Sequence, residues 1–189
     1  MTFICLWSPA AIRENELIQQ LVPSLLGAAP RVLLGTNGIV WADARGMSAE
    51  LLASDLLGVF HEKGVEKVRA AITISPICAE VAARHGKGVL IGISPGTERD
   101  YLAPFPVGVL EPSLALSSLL DGIGVESCRD LAKLDLESVE VRCGAEGARL
   151  WRLSRADDSR RIFTSIPRAL PTASLDWVDY TLKDGERLV

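Results

Sequence analysis

The pair Asn37-Gly38, set between the apolar runs RVLLGT and GIVWADA, constrains the fold more than any other feature of the chain. Both residues tolerate positive φ, and a two-residue turn of that kind matches the twist of two antiparallel strands. A β-hairpin is therefore predicted over residues 31–44, with both arms apolar enough to be buried. The flanking elements extend the pattern. TFICLWS reads as a buried strand ended by Pro9. AAIRENELIQQLVPSLL carries Ile12, Leu17, Leu21 and Leu25 at helical spacing, with Pro23 expected to end or bend the helix. Beyond the hairpin, Ser48 is placed to cap the helix AELLASDLLGVFHEKG, which Gly64 stops, and KVRAAITIS is a fourth strand. Strand, helix, strand, strand, helix, strand is the order of the ferredoxin-like α/β (α+β) fold. PICAEVAARHG then adds a helix and GVLIGIS a further strand.

Around residue 95 the texture changes. SPGTERDYLAPFPVGVLEP carries four prolines and reads as a crossing segment, and from Ser113 only helical pieces follow: SLALSSLLDG, SCRDLAKLD, LESVEVRCG and AEGARLWRLSR. The expected organisation is an α/β unit over 1–95, a small all-helical unit over 96–158, and a tail over 159–189. With 189 residues and 48% hydrophobic content the chain can bury a core, which excludes disorder. A net charge of −4 excludes a general basic field for nucleic acid, so any such contact is local. Residues 1–139 hold 11 basic and 16 acidic groups, whereas 140–170 hold 7 and 4. The late arginines, among them Arg149, Arg152 and Arg155, read either as a solvated helix face or as a phosphate-contacting patch.

Between the helical pieces, LLDGIGVESCRDLAKL has the form of a helix-hairpin-helix. Gly122 and Gly124 would let the backbone approach a phosphate, free N–H groups at the next helix start would bind it, and Arg129 lies just beyond. A tight turn without a ligand satisfies the same glycines. Other chemistries find no footing. No G-x-S-x-G, P-loop or strand-borne G-x-G-x-x-G occurs. Cys5, Cys78, Cys128 and Cys143 are dispersed and read mostly as reduced core fillers, and Cys78 and His85, seven residues apart, exceed the three- or four-residue spacing at which helix side chains meet. No metal and no cofactor is expected. The N-terminus has no basic leader and the chain no apolar run of about 18 residues, so a cytoplasmic protein without membrane association is the expectation.

Set in order, these segments resemble the Y-family DNA polymerases. IGVESCRDLAKLDLESVEVRCGAEGARLWRLSRADD is similar to the thumb, YLAPFPVGVL (101–110) to the palm-to-thumb linker, and GIVWADARGM with VRAAITISPICAEVAARHG to the second half of the palm. The tail RIFTSIPRALPTASLDWVDYTLKDGERLV resembles the start of the little-finger module. Within the family the similarity is greatest to the ImuB-type paralogues, which lack polymerase activity and act in bacterial damage-induced mutagenesis. The resemblance implies a palm without fingers, because only about 22 residues (9–30) separate the first strand from the hairpin. It further implies scaffolding in translesion DNA repair beside a RecA-like protein, a replicative-type polymerase and the sliding clamp. The alternative is a weak, non-specific DNA-binding module that uses the helix-hairpin-helix and the basic thumb helix.

The chemistry can be set against particular residues. Nucleotidyl transfer by the family uses two metal ions about 4 Å apart, held by carboxylates, and magnesium takes oxygen ligands. In active relatives one aspartate comes from the first palm strand and an aspartate-glutamate pair follows the hairpin turn. Here the matching positions fall near Trp7 and at Gly38 and Ile39. The expectation is a chain that is not an enzyme. Asp43, alone and further along the strand, is expected to make a turn contact near Arg45-Gly46.

Overall fold

The computed structural model describes residues 2–10 and 15–163, without the side chains of 15–18. The tail that resembles a little-finger start lies, from residue 164 onward, outside the described residues. Strand β1 (Phe3–Trp7) leads to helix α1 (Asn15–Ala28), the hairpin β2 (Val32–Leu34) and β3 (Ile39–Asp43), helix α2 (Ala49–Glu62) and strand β4 (Arg69–Thr73). Helix α3 (Pro76–His85) and strand β5 (Leu90–Gly92) follow. The sheet order is β2-β3-β1-β4-β5. The first four strands are antiparallel throughout and β5 runs parallel to β4. This is the ferredoxin-like arrangement with one added strand, as the element order foretold.

Alternation along the strands sends their side chains to two cores. Ile4, Leu6, Val40, Ala42, Ala70 and Ile72 pack on Leu21 and Leu25 of α1 and on Leu52, Leu56 and Phe60 of α2. Phe3, Cys5, Ile39, Trp41 and Ala71 face α3, and that cluster continues without a break through Leu102, Val107 and Leu110 into Leu120, Leu131, Leu150 and Leu153. The helical half therefore packs directly on the sheet's second face. It comprises α4 (Glu98–Leu102), a 3-10 turn (Val107–Leu110), α5 (Leu114–Gly122), α6 (Cys128–Lys133) and α7 (Leu136–Ser154).

Several local expectations need correction. The first helix runs through Pro23 to Ala28 and does not end there. Of the two hairpin arms only β3 is buried; β2 is an edge strand whose Leu33 and Leu34 are exposed. The proline-rich crossing segment contains a short helix and a 3-10 turn, because Leu102, Val107 and Leu110 are needed in the core. The two last helical pieces meet at Gly144, whose φ of 64° and ψ of −162° interrupt α7. Ser48 caps α2 as expected, its hydroxyl accepting from the Leu51 N–H at 3.4 Å. Among the described residues no helix is long and apolar enough to cross a membrane.

Candidate functional site

The hairpin turn brings the three positions singled out by sequence together. Asn37 (φ 55°) and Gly38 (φ 76°) both occupy the left-handed region, and the Ile39 N–H closes the turn on the Thr36 carbonyl at 3.2 Å. Trp7 pairs with Ile39 on one side and with Arg69 on the other. Ile39, Trp7 and Arg69 thus form one row across β3, β1 and β4, on the face that carries Cys5 and Ala71. The Trp7 indole N–H donates to the Asn37 carbonyl at 3.1 Å, and the Ser8 N–H to the Gly38 carbonyl at 3.2 Å. These bonds tie the end of β1 to the turn.

Arg69 completes the row from a position that sequence reading passed over. Its guanidinium stacks 4.8 Å from the Trp7 ring centroid. Its Nη1 donates to the Gly86 carbonyl at 3.1 Å and its Nη2 to the Arg84 carbonyl. Both acceptors belong to the C-terminal end of α3, where carbonyls lack helical partners and a cation is favoured. Gly86 is there for want of space: a Cβ would stand 2.2 Å from Ile91 Cδ1 and 2.5 Å from the Ala82 carbonyl oxygen. An arginine opening a strand carries no sequence signal of its role, since its partners lie 15 and 17 residues away.

The three side chains of this row do not suit a divalent cation. The row offers an indole, an aliphatic side chain and a guanidinium where magnesium needs carboxylate or other oxygen ligands. Asp43 does not supply one. It stands at the far end of β3, opposite Phe3, about 13 Å along the strand from Ile39. It is buried, accepts from the Arg45 N–H at 3.0 Å and pairs with Arg31 and Arg45 at 3.8 and 3.7 Å, which is the turn contact expected of it. Three of the four cysteines behave as core fillers: Cys5, Cys78 and Cys128 are buried thiols, whereas Cys143 is only half-buried. Burial pushes Cys78 up to about 12 and Cys128 up to about 11.

In the helical half, the turn between α5 and α6 has the expected backbone but not the expected free donors. Gly124 (φ 75°) follows the end of α5, its N–H donating to Asp121 and that of Val125 to Leu120, as in a glycine-terminated helix. At the start of α6, Ser127 N–H donates to the Asp130 carboxylate, Cys128 N–H to the Phe105 carbonyl at 2.8 Å and Arg129 N–H to the Ala103 carbonyl at 3.0 Å. The Asp130 N–H is shared with the Ser127 hydroxyl and carbonyl. The groups that were to bind phosphate are already engaged, two by carbonyls of the palm-to-thumb linker and two by the reciprocal bonds between Ser127 and Asp130. Gly122 itself sits in the last turn of α5, in ordinary helical backbone.

The candidate arginines do not form one stripe. Arg129 lines a cleft of about 390 Å³ between α4 and α6 with Arg99, Lys133 and Asp100. Arg149 and Arg152 line a different cleft, of about 310 Å³, where α7 meets α3 among Glu80, Glu111, Asp157 and Asp158. Arg152 pairs with Glu140 at 3.5 Å. Arg155 is a structural cation: it donates to the Ala132 carbonyl at 3.0 Å and stacks 4.6 Å from the Trp151 ring. Arg160, also in the late basic stretch, is bound to Asp158 and Glu80 at 2.7 and 2.8 Å. Arg99 and Lys133 were not singled out in the sequence, Arg99 because it stood in a segment read as a crossing.

The whole arrangement, a ferredoxin-like sheet followed by a helical unit on its second face, is the palm and thumb fold of the Y-family DNA polymerases. It matches DinB from Sulfolobus solfataricus with a TM-score of 0.62 at 18% identity, over 78% of this chain and 46% of that one. A DinB family error-prone DNA polymerase from the same organism matches with a TM-score of 0.67 at 13% identity, over 85% and 68% of the two chains. A Dbh-based Y-family DNA polymerase chimera gives a TM-score of 0.67 at 12% identity, over 88% and 70%. The chain thus spans from just under half to about two thirds of the length of these polymerases. By sequence, no protein-family model and no curated protein matches.

Proposed function

We propose that this chain is a catalytically inactive, ImuB-type relative of the Y-family polymerases that acts as a scaffold in damage-induced mutagenesis and translesion repair. The observation that supports the reading is the row Ile39–Trp7–Arg69: the fold of a polymerase palm is kept, while none of the three side chains in this row is a carboxylate. Its partners would be a RecA-like protein, a separate replicative-type polymerase and the sliding clamp. The protein would work by holding them together and not by transferring nucleotides.

A weak DNA-binding module is the second reading, favoured by the cleft that gathers Arg99, Arg129 and Lys133 around Asp100. In that case side chains, not the turn's N–H groups, would meet backbone phosphates, without sequence readout. Titration of labelled primer-template DNA at low and moderate salt separates the two. A scaffold shows no salt-sensitive binding. A DNA module shows affinity that falls steeply with salt and is lost in Arg99→Ala/Arg129→Ala more than in Arg149→Ala/Arg152→Ala.

A further inference from the structure

We propose that Arg69 closes the hairpin end of the sheet to divalent cations, so that restoring carboxylates on β1 and β3 does not by itself recreate a metal site. The inference rests on the inactive reading and deepens it: the ligand positions hold no carboxylate and a fixed cation stands directly beside one of them, Trp7.

The register makes the case. Arg69 is directly opposite Trp7, which is directly opposite Ile39, and all three project to the same face. Directly opposed residues have Cβ atoms about 5 Å apart, within reach of a charge pair. An aspartate introduced at position 7 would therefore meet the Arg69 guanidinium before any ion, and a guanidinium cannot deprotonate to make way. Nor is Arg69 free to withdraw. It is anchored by the Arg84 and Gly86 carbonyls, which lie at the end of α3 and would otherwise lose this partner. Removing the Trp7 ring takes away the stacking contact but leaves both carbonyl bonds in place. A divalent ion beside an immobile guanidinium in a partly buried site is opposed by direct repulsion. Asp43, at the other end of β3 and bound to Arg31 and Arg45, is not available to offset it.

The test compares two variants of the full chain, Trp7→Asp/Ile39→Glu and Trp7→Asp/Ile39→Glu/Arg69→Ser, by Mn²⁺ titration read as the electron paramagnetic resonance signal of free ion. The proposal expects no saturable binding in the double variant and at least tenfold tighter binding in the triple. Equal affinity in the two, whether tight or absent, overturns it. Because Ile39 is buried and glutamate there endangers folding, a second measurement uses Trp7→Asp alone. Its carboxyl, followed by carbon NMR, should titrate below the ordinary aspartate range and return to that range when Arg69→Ser is added. A midpoint indifferent to Arg69 contradicts the proposal. These results leave the inactive reading standing; template-directed incorporation by the unaltered chain would overturn both.

Discussion

The hairpin end of the palm and the α5–α6 turn of the thumb have both been turned inward, by different means. At the palm end, side chains do it: the Trp7 indole and the Arg69 guanidinium consume the carbonyls of Asn37, Arg84 and Gly86. At the thumb turn, the backbone does it: linker carbonyls and a capping box take the N–H groups of residues 127–130. The palm end is closed by side chains whose partners lie far along the chain. The thumb turn has its two glycines, but the N–H groups that follow them at the start of α6 are not free for a phosphate.

That difference predicts how the two regions respond to substitution. The largest effect is expected at Gly86, where an added methyl meets the Ala82 carbonyl oxygen at 2.5 Å, a backbone atom that cannot swing aside. Gly86→Ala should cost about 3 kcal/mol in urea unfolding, at the upper range for overpacking. At the thumb turn Gly124 has open space but a φ of +75°. Gly124→Ala should cost only about 1 kcal/mol, the backbone strain of a left-handed alanine. A reversal of that order would mean that packing limits the turn and backbone conformation limits the palm end.

A smaller effect is set by pH. The Asp130 carboxyl is held below its ordinary range, first by the Ser127 hydroxyl and then by the Ser127 N–H, Lys133 and Arg129. A carboxylate with a lowered folded value contributes stability that is fully present above its ordinary pKa and is lost as pH falls through the folded value. The acid limb of thermal stability, below about pH 4, should therefore be shallower in Asp130→Asn than in the unaltered chain. The slope at the same pH in Arg69→Ser should not change. If both variants flatten the limb equally, the contrast between a backbone-built and a side-chain-built region is wrong.

Much of this was legible in the sequence because it depended on neighbours along the chain. Asn37-Gly38 fixed the hairpin, Ser48 and Gly64 bounded α2, and Asp43 made its contact two residues on. The order of elements then sufficed for the sheet topology, since a helix between strands leaves few ways to pair them. What escaped notice depended on distant partners. Arg69 meets carbonyls on α3 and a ring on β1. The engaged N–H groups of α6 meet carbonyls of Ala103 and Phe105, some 25 residues earlier. Arg155 offered the same charge as Arg149 in sequence, yet only Arg155 is spent on a helix end. The edge position of β2 escaped as well, because an apolar run reads as buried whether or not a further strand covers it.

The central claim is that the palm fold persists without the chemistry of nucleotidyl transfer. It is tested most directly by primer extension, with the unaltered chain, primer-template DNA and all four deoxynucleoside triphosphates, in magnesium and then in manganese. The account predicts that the primer remains at its starting length under both conditions. Template-directed addition of even one nucleotide above a no-protein control, abolished by heat denaturation of the chain, would contradict it.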